Sequence, residues 1–228
     1  MYKGMSLLKF FTHITFLSFF TITAIADNLM SLSDRKDRWE LSFQTRYFES
    51  IDLEFEGGAS ASLNEDINWA IGLGYNYSEH WAFNFDMGWG DAGYSGTRID
   101  DNDTPESVSG NIYTSSMNFG TTYNFLAKRF TPFVGASVGW TFVDTNIPDG
   151  LPQTVCWYDP WWGYVCDTFI PTKTTTELTY GAIAGLRFDV NDQLFLKGSA
   201  GKQWIDFGKT TGSTPDFIIY RLDIGVMF

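Results

Sequence analysis

Residue types that commonly carry catalysis or bind metals are scarce in this 228-residue chain. It has two histidines and two cysteines, and of the histidines only His80 lies beyond residue 26. A catalytic histidine needs a nucleophile within hydrogen-bond reach and an acid to orient it, yet His80 stands in a three-residue link between two alternating segments. No glycine-rich phosphate loop or spaced set of metal ligands accompanies it. We therefore expect His80 to be a turn residue, and the chain to be no enzyme and to hold no cofactor or metal.

One acidic run offers oxygen ligands that calcium prefers. It comprises Asp100, Asp101, Asn102 and Asp103, with Glu106 close behind. A calcium loop also needs a central glycine and a distal bidentate glutamate, and the run lacks both. A solvated acidic loop is the preferred interpretation, and calcium binding is the alternative.

The first residues have the pattern of a secretory signal. Lys3 and Lys9 precede an apolar stretch that ends in small residues suited to a signal peptidase. We expect cleavage after Ala26, so that 1–26 is the signal peptide and 27–228 the mature domain; an uncleaved membrane anchor is the alternative. Losing two lysines lowers the net charge from −12 to −14. Such acidity argues against a nucleic-acid partner.

Export also determines how the two cysteines are interpreted. Cys156 and Cys166 are close in sequence and have no histidine nearby, so a disulfide is expected rather than a zinc site. The segment between them carries five aromatic residues: Trp157, Tyr158, Trp161, Trp162 and Tyr164. Aromatic residues are enriched both in binding hot spots and at membrane interfaces. Two interpretations stay open: a surface recognition site for an unknown extracellular ligand, or aromatics that pack on a barrel rim or lie among lipid headgroups.

Large apolar residues alternate with small or polar ones along most of the chain, which is typical of strands with two different faces. The clearest case is 67–77, followed after a short link by 81–89. Because that link is so short, these two strands should form an antiparallel hairpin. The same pattern predicts eight strands, at 39–47, 67–77, 81–89, 116–125, 134–142, 177–188, 194–204 and 218–228.

The predicted links alternate between short and long. The short ones are 78–80, 126–129 and 189–192, and the long ones are 54–65, 91–110, 144–174 and 207–215. An even number of strands of about 9 to 11 residues, with short turns at one end and long loops at the other, is typical of an outer-membrane barrel. We therefore expect an all-β fold: an eight-stranded antiparallel transmembrane up-and-down β-barrel with short periplasmic turns and long extracellular loops.

A soluble barrel of the lipocalin kind is the structural alternative. It would have to enclose about five large side chains from each strand, more than a small lumen holds. In the membrane arrangement those residues face lipid instead. Eleven of the 21 glycines beyond residue 26 fall on the opposite, small face, where a narrow interior needs the room. Strand-end aromatics such as Trp39 and Trp140 suit the interfacial girdles of a membrane barrel.

The inward face carries charges that balance. It has four acids and four bases: Glu40, Asp86, Glu177, Asp223, Arg46, Arg187, Lys197 and Arg221. Buried charges must be paired, so we expect a salt-bridged plug, with a charged constriction in a small pore as the alternative. Glu40 and Arg221 are the expected pair where the last strand closes on the first. Lys202, on the outward face, is expected to reach lipid phosphates at the interface.

These features resemble the small eight-stranded outer-membrane barrels, the OmpA-like and opacity-type surface proteins. The resemblance covers the mature chain and includes the segment 131–136 and the alternating segment 220–228 that ends in Phe228. It implies a Gram-negative outer membrane with lipid and lipopolysaccharide as surroundings. It also implies that Phe228 is a signal read by the barrel assembly machinery during insertion.

The resemblance bears on function as well. It implies a structural or surface-interaction protein, for adhesion or recognition, with a narrow porin-like channel for small solutes as the alternative. Some barrels of this size modify lipid A through a histidine near the outer leaflet. Since His80 is expected in a periplasmic turn, that third function is disfavoured.

Overall fold

The computed structural model describes residues 31–54, 60–99, 105–148, 150–206 and 214–228. Within these ranges, no helix has the length and apolar character to cross a membrane. The signal sequence and the acidic run 100–103 lie outside the described residues. The strands are β1 Arg38–Phe48, β2 Ile51–Glu54, β3 Ser60–Leu63, β4 Asp66–Asn76, β5 Trp81–Ile99, β6 Pro105–Asn124, β7 Phe130–Pro148, β8 Gln153–Asp159, β9 Gly163–Phe169, β10 Thr172–Asp189, β11 Leu194–Asp206 and β12 Asp216–Met227.

Eight of these strands form a closed antiparallel barrel, as the sequence predicts. Around the barrel they run β1, β4, β5, β6, β7, β10, β11 and β12, and β12 closes on β1. Three short links join neighbouring strands at one end, which we call the turn end. The longer connections lie at the opposite end, which we call the hairpin end. The fold class is confirmed.

Two of the predicted long loops are largely strand. β5 and β6 pair as far as Ile99 with Pro105, so most of 91–110 is a projecting hairpin. Within 144–174, β7 continues to Pro148 and β10 begins at Thr172. Large apolar residues no longer alternate with polar ones in these segments, because both faces are rich in Ser, Thr and Gly. The strands still pair there, since the hydrogen bonds between them join backbone groups.

Two short hairpins extend the hairpin end further. β2 and β3 pair with each other, and β3 adds to the outer part of β5 from Leu63 and Tyr94 onwards. The β4–β5 ladder reaches only to Trp69 and Trp89. β5 therefore changes its neighbour from β4 to β3. β8 and β9 form a separate two-stranded sheet.

The two faces of the barrel have the predicted polarity. Outward side chains are large and exposed, with Trp69 49%, Phe83 55% and Phe119 54% accessible. Inward side chains include buried Gln44, Asn76 and Arg187. A soluble barrel has the reverse arrangement, so the membrane orientation explains both faces.

Glycines on the inner face allow the close packing of the lumen. A Cβ on Gly139 would lie 2.0 Å from the carbonyl oxygen of Met117, and one on Gly72 would lie 2.3 Å from Nε2 of Gln44. Real Cβ atoms do not approach so closely. Glycine is required at Gly139, where the blocking atoms belong to the backbone, whereas at Gly72 the end of the Gln44 side chain would have to move.

The inner wall is not uniformly polar. Toward the hairpin end, Ile205, Phe217 and Ile219 are buried and contact Phe48 and Leu63. At the turn end, Phe195 is fully buried inside the lumen. The expectation that large apolar residues face only outward is therefore too simple.

An N-terminal strap, residues 31–35, runs along the turn end before β1 begins. The backbone N–H of Ser33 donates to the carbonyl of Ala127 at 3.2 Å, and that of Arg129 donates to the carbonyl of Ser31 at 3.0 Å. The strap is thereby attached to the turn between β6 and β7, on a part of the barrel distant from β1.

Candidate functional site

A turn-end cluster of charged side chains fills the lumen near the strap. Glu40 contacts Arg187 at 2.6 Å and Lys197 at 2.7 Å. The Nδ2 of Asn76 donates to Glu40 at 2.8 Å. Arg187 also bonds Asp189 at 2.6 Å. Each of the two carboxylates thus meets at least one cation, as burial in a region of low dielectric requires.

An aromatic ring completes this cluster. Phe195 lies 4.8 Å from the guanidinium carbon of Arg187 and 4.6 Å from Nζ of Lys197, measured to the ring centroid. The π electrons of the ring attract both cations electrostatically. Phe195 therefore both fills the lumen and stabilises the positive charges of Arg187 and Lys197.

Arg35 of the strap closes this end. Its guanidinium donates to the carbonyl of Lys128 at 2.5 Å and of Leu126 at 3.1 Å, and lies 3.9 Å from Asp189. Burial, with a smaller effect from nearby Arg187, lowers the pKa of Arg35 to about 10. Arg35 nevertheless stays protonated near neutral pH.

A middle cluster lies further along the lumen. Asp86 is its centre, with Arg221 at 3.0 Å and Arg46 at 3.1 Å. The Nε2 of Gln44 donates to Asp86 at 2.7 Å, and Arg221 also bonds Asp223 at 2.6 Å. A cavity of only about 50 Å³ remains among these side chains, which is room for a few water molecules.

Two predictions about the lumen are wrong. Glu40 does not pair with Arg221, because the β1–β12 register sets Glu40 beside Met227 and Arg221 beside Arg46. Glu177 does not join either cluster; it accepts a hydrogen bond from Thr175 instead. Asp189 joins the turn-end cluster instead, so the barrel strands still supply four acids and four bases, and Arg35 of the strap adds a fifth base.

Sequence reasoning missed Asp189, Phe195 and Arg35. Asp189 fell at the start of a predicted turn, and Arg35 lies before the first strand, so neither was considered inward. Phe195 has the same parity as Lys197 in β11. Because residues two apart in a strand face the same side, the inward prediction for Lys197 could have been extended to the ring of Phe195.

The disulfide prediction is confirmed, since Cys156 of β8 and Cys166 of β9 are bonded. Asp159 accepts hydrogen bonds from the backbone N–H groups of Trp161 and Trp162 at 2.8 and 2.9 Å, which fixes the turn. Gly163 follows with φ of 76°, a value that favours glycine.

The aromatic side chains of this hairpin are exposed. Trp161 is 89% accessible and Trp162 83%, while Tyr158 and Tyr164 are also largely exposed. Trp157 is about half exposed. Packing of Trp161 and Trp162 on the barrel rim is therefore excluded, which leaves the headgroup layer and ligand recognition.

The remaining candidate residues have ordinary surroundings. His80 lies in the turn after β4, where its Nδ1 donates to the carbonyl of Asn124 at 2.7 Å and its ring stacks on Tyr123. Lys202 faces outward and pairs with Asp216. In the described part of the chain, no group of three or more His, Cys, Asp or Glu residues is placed to hold a metal ion.

Phe228 follows β12 at the turn end. Its backbone N–H donates to the carbonyl of Trp39 at 3.0 Å, and its carbonyl accepts from Trp39 at 2.9 Å. Its side chain is 65% accessible. The last residue is thus fixed by its backbone while its ring faces outward.

Several solved structures match this chain at low sequence identity. OprG from Pseudomonas aeruginosa matches with a TM-score of 0.51 and 11% identity, over 86% of this chain and 98% of that one. Neisserial surface protein A matches at 0.47 and 14%, over 83% and 95%. Ail of Yersinia pestis, in complex with the heparin analogue sucrose octasulfate, matches at 0.48 and 10%, over 85% and 99%.

No curated protein sequence matches the chain. The model of the outer membrane protein beta-barrel domain, however, matches residues 15–228. This match spans nearly all of the sequence and agrees with the closed eight-stranded barrel and its apolar outer surface. The protein belongs to the outer membrane protein beta-barrel domain family and is a bacterial outer-membrane barrel.

Proposed function

We propose that the protein is a surface-interaction barrel, which contacts an extracellular partner through its β8–β9 hairpin and does not conduct solutes. The observation that carries this proposal is the exposure of Trp161 and Trp162 on a hairpin closed by a disulfide. Exposed tryptophans cost free energy in water, and burying them against a partner recovers it.

The partner surface we infer is apolar or interfacial rather than polyanionic. The hairpin carries Asp159 and Asp167 and has no lysine or arginine between 150 and 169. Negative charge would repel a polyanion. Aromatic residues without nearby cations suit the boundary between headgroups and acyl chains of a lipid surface without net charge, as in an opposing membrane.

A direct test uses purified barrel in nanodiscs and a supported phosphatidylcholine bilayer. We expect the native protein to be retained and the Trp161→Ala/Trp162→Ala variant to lose most of this retention. Leu151→Ala is the matched control, because Leu151 is 84% accessible but lies before β8. Equal retention of the native protein and the double variant would reject the hairpin as the contact.

The lumen clusters support the absence of conduction. Arg46, Asp86 and Arg221 leave only the small cavity described above. We expect no discrete conductance steps from the native barrel in planar bilayers. Reproducible steps would favour the alternative, a narrow channel for small solutes.

Three further features belong to the same proposal. The signal peptide is removed after Ala26, which the mass of the mature chain will check. Phe228 is read by the barrel assembly machinery. The barrel is no enzyme, so a lipid A mass spectrum should not change when the protein is overproduced.

A further inference from the structure

The hairpin end of the lumen contains a cavity that neither the ion pairs nor the β8–β9 hairpin explains. It has a volume of about 250 Å³. Most of its surface is apolar and comes in part from the inward-facing Phe48, Leu63, Ile112, Val143 and Phe217, while Thr, Asn and a few charged residues also line it. In membrane barrels the inward face is ordinarily polar and the outward face apolar. Here much of the inward surface is apolar as well.

The cavity ends at the middle cluster. Arg46 and Gln203 belong both to its lining and to that of the small polar cavity beyond. A ligand in the larger cavity would therefore meet charged, hydrogen-bonded side chains at its inner end and apolar side chains around it. Burying the apolar part of a small molecule against the apolar surface of such a cavity is favourable.

Two residues that line the cavity each carry a side-chain oxygen without a hydrogen-bond partner. Oδ2 of Asp66 and Oδ1 of Asn68 are buried and accept no hydrogen bond from any described residue, although the Asp66 carboxylate also accepts the backbone N–H groups of Ile67 and Asp91. Asp66 and Asn68 lie on β4 beyond Trp69, where the β4–β5 ladder has ended. An unsatisfied buried acceptor costs free energy, and a ligand with one N–H or O–H group would relieve that cost.

We propose that this cavity is a binding site for a small uncharged molecule that is mostly apolar and carries one hydrogen-bond donor, such as a phenol or an aliphatic alcohol. The volume lies just below the range of about 300 to 1,000 Å³ that is usual for drug-sized ligands, so the ligand is smaller than those. Asp66 and Asn68 would accept its donor after a rotation of their side chains, because the two unpartnered oxygens are buried away from the cavity surface. Phe48, Leu63 and Phe217 would contact its apolar part.

The test compares two probes, 1-naphthol and 1-methylnaphthalene, which differ in the donor. Binding is measured by equilibrium dialysis against the barrel in lipid nanodiscs, with empty nanodiscs to subtract partition into lipid. We expect saturable binding of 1-naphthol at one site per barrel. A hydrogen bond to a buried acceptor should give it about a tenfold preference over 1-methylnaphthalene.

Two variants separate the site from the lipid surface. Ala92→Phe fills the cavity, since Ala92 lines it, and should abolish saturable binding. Ala184→Phe makes the same change on the exposed outer face of β10 and should leave binding intact. Asn68→Leu keeps a similar shape and should reduce the tenfold preference without abolishing 1-methylnaphthalene binding.

Gel mobility before and after heating verifies that each variant is folded. Absence of saturable binding by the native barrel would overturn the proposal. So would equal 1-naphthol binding by the native protein and by folded Ala92→Phe. Equal affinity of the native barrel for both probes would overturn the donor requirement, and with it the assigned ligand class.

Discussion

Glu40 and Arg187 meet at 2.6 Å although their strands, β1 and β10, are separated in the barrel by β11 and β12. Their contact therefore crosses the lumen instead of following the wall. Both side chains are almost fully buried. This ion pair thus connects β1 to β10 through the interior of the barrel.

Arg187→Met should strongly destabilise the barrel, because it leaves Glu40 and Asp189 without their closest cation. Removing one partner of a buried ion pair typically costs about 3–5 kcal/mol of the free energy of unfolding. Urea unfolding in detergent micelles measures this loss. Lys202→Met is the control: its pair with Asp216 is half exposed, so solvent screens the interaction and its loss should have a much smaller effect. Similar effects of the two substitutions would contradict the assigned role of the turn-end cluster.

Gly139→Ala should also destabilise the barrel, since its methyl group would collide with the backbone of β6. We expect a loss of about 1–3 kcal/mol. Gly198→Ala is the matched control on β11, because a Cβ there meets nothing within 4 Å. The two unfolding midpoints check this prediction, which fails if Gly139→Ala unfolds with the midpoint of Gly198→Ala.

Loss of the disulfide should loosen the β8–β9 hairpin and leave the barrel intact. An isolated two-stranded hairpin is marginally stable, and a disulfide of this loop length contributes about 2–3 kcal/mol. In Cys156→Ser/Cys166→Ser we expect faster chymotrypsin cleavage between 157 and 164 and an unchanged urea midpoint. A reductant should produce the same change in the native protein and none in the variant. A lowered urea midpoint would show that the hairpin supports the barrel.

Phe228→Ala should slow assembly in cells while refolding in detergent proceeds at the native rate. The reason is that the backbone of Phe228 makes the contacts with Trp39, whereas its ring is exposed. Pulse-chase measurement of heat-modifiable barrel gives the cellular rate. If refolding in detergent slowed equally, the ring would have a structural role and no special part in recognition by the assembly machinery.

The faces of the strands could be predicted because alternation is a local property. Trp69, Phe83 and Phe119 face outward as expected, and Arg46, Asp86 and Lys197 face inward. The partners of the inward charges could not be predicted, because contacts across a lumen depend on strand stagger and side-chain length. The expected Glu40–Arg221 pair assumed that neighbouring strands supply the partners, whereas Arg187 reaches Glu40 from β10.

The apolar cavity was missed for a related reason. Phe217 and Ile219 have inward parity in β12, but they stand among outward-facing Ile218 and Tyr220, so the alternation is lost locally. A segment with large residues on both faces gives no periodic signal. The unpartnered oxygens of Asp66 and Asn68 depend in turn on where one ladder ends, which only the paired strands reveal.

The N-terminal strap has a consequence for the order of folding. Ser33 bonds Asp189 through its hydroxyl, and Arg35 bonds the carbonyl of Lys128. The residues synthesised early therefore find their native partners only after most of the chain has been made and β6, β7 and β10 have come together. Because such contacts span 156 and 93 positions, they are entropically costly to form first. We therefore expect the strap to dock last at the turn end, after the barrel has closed.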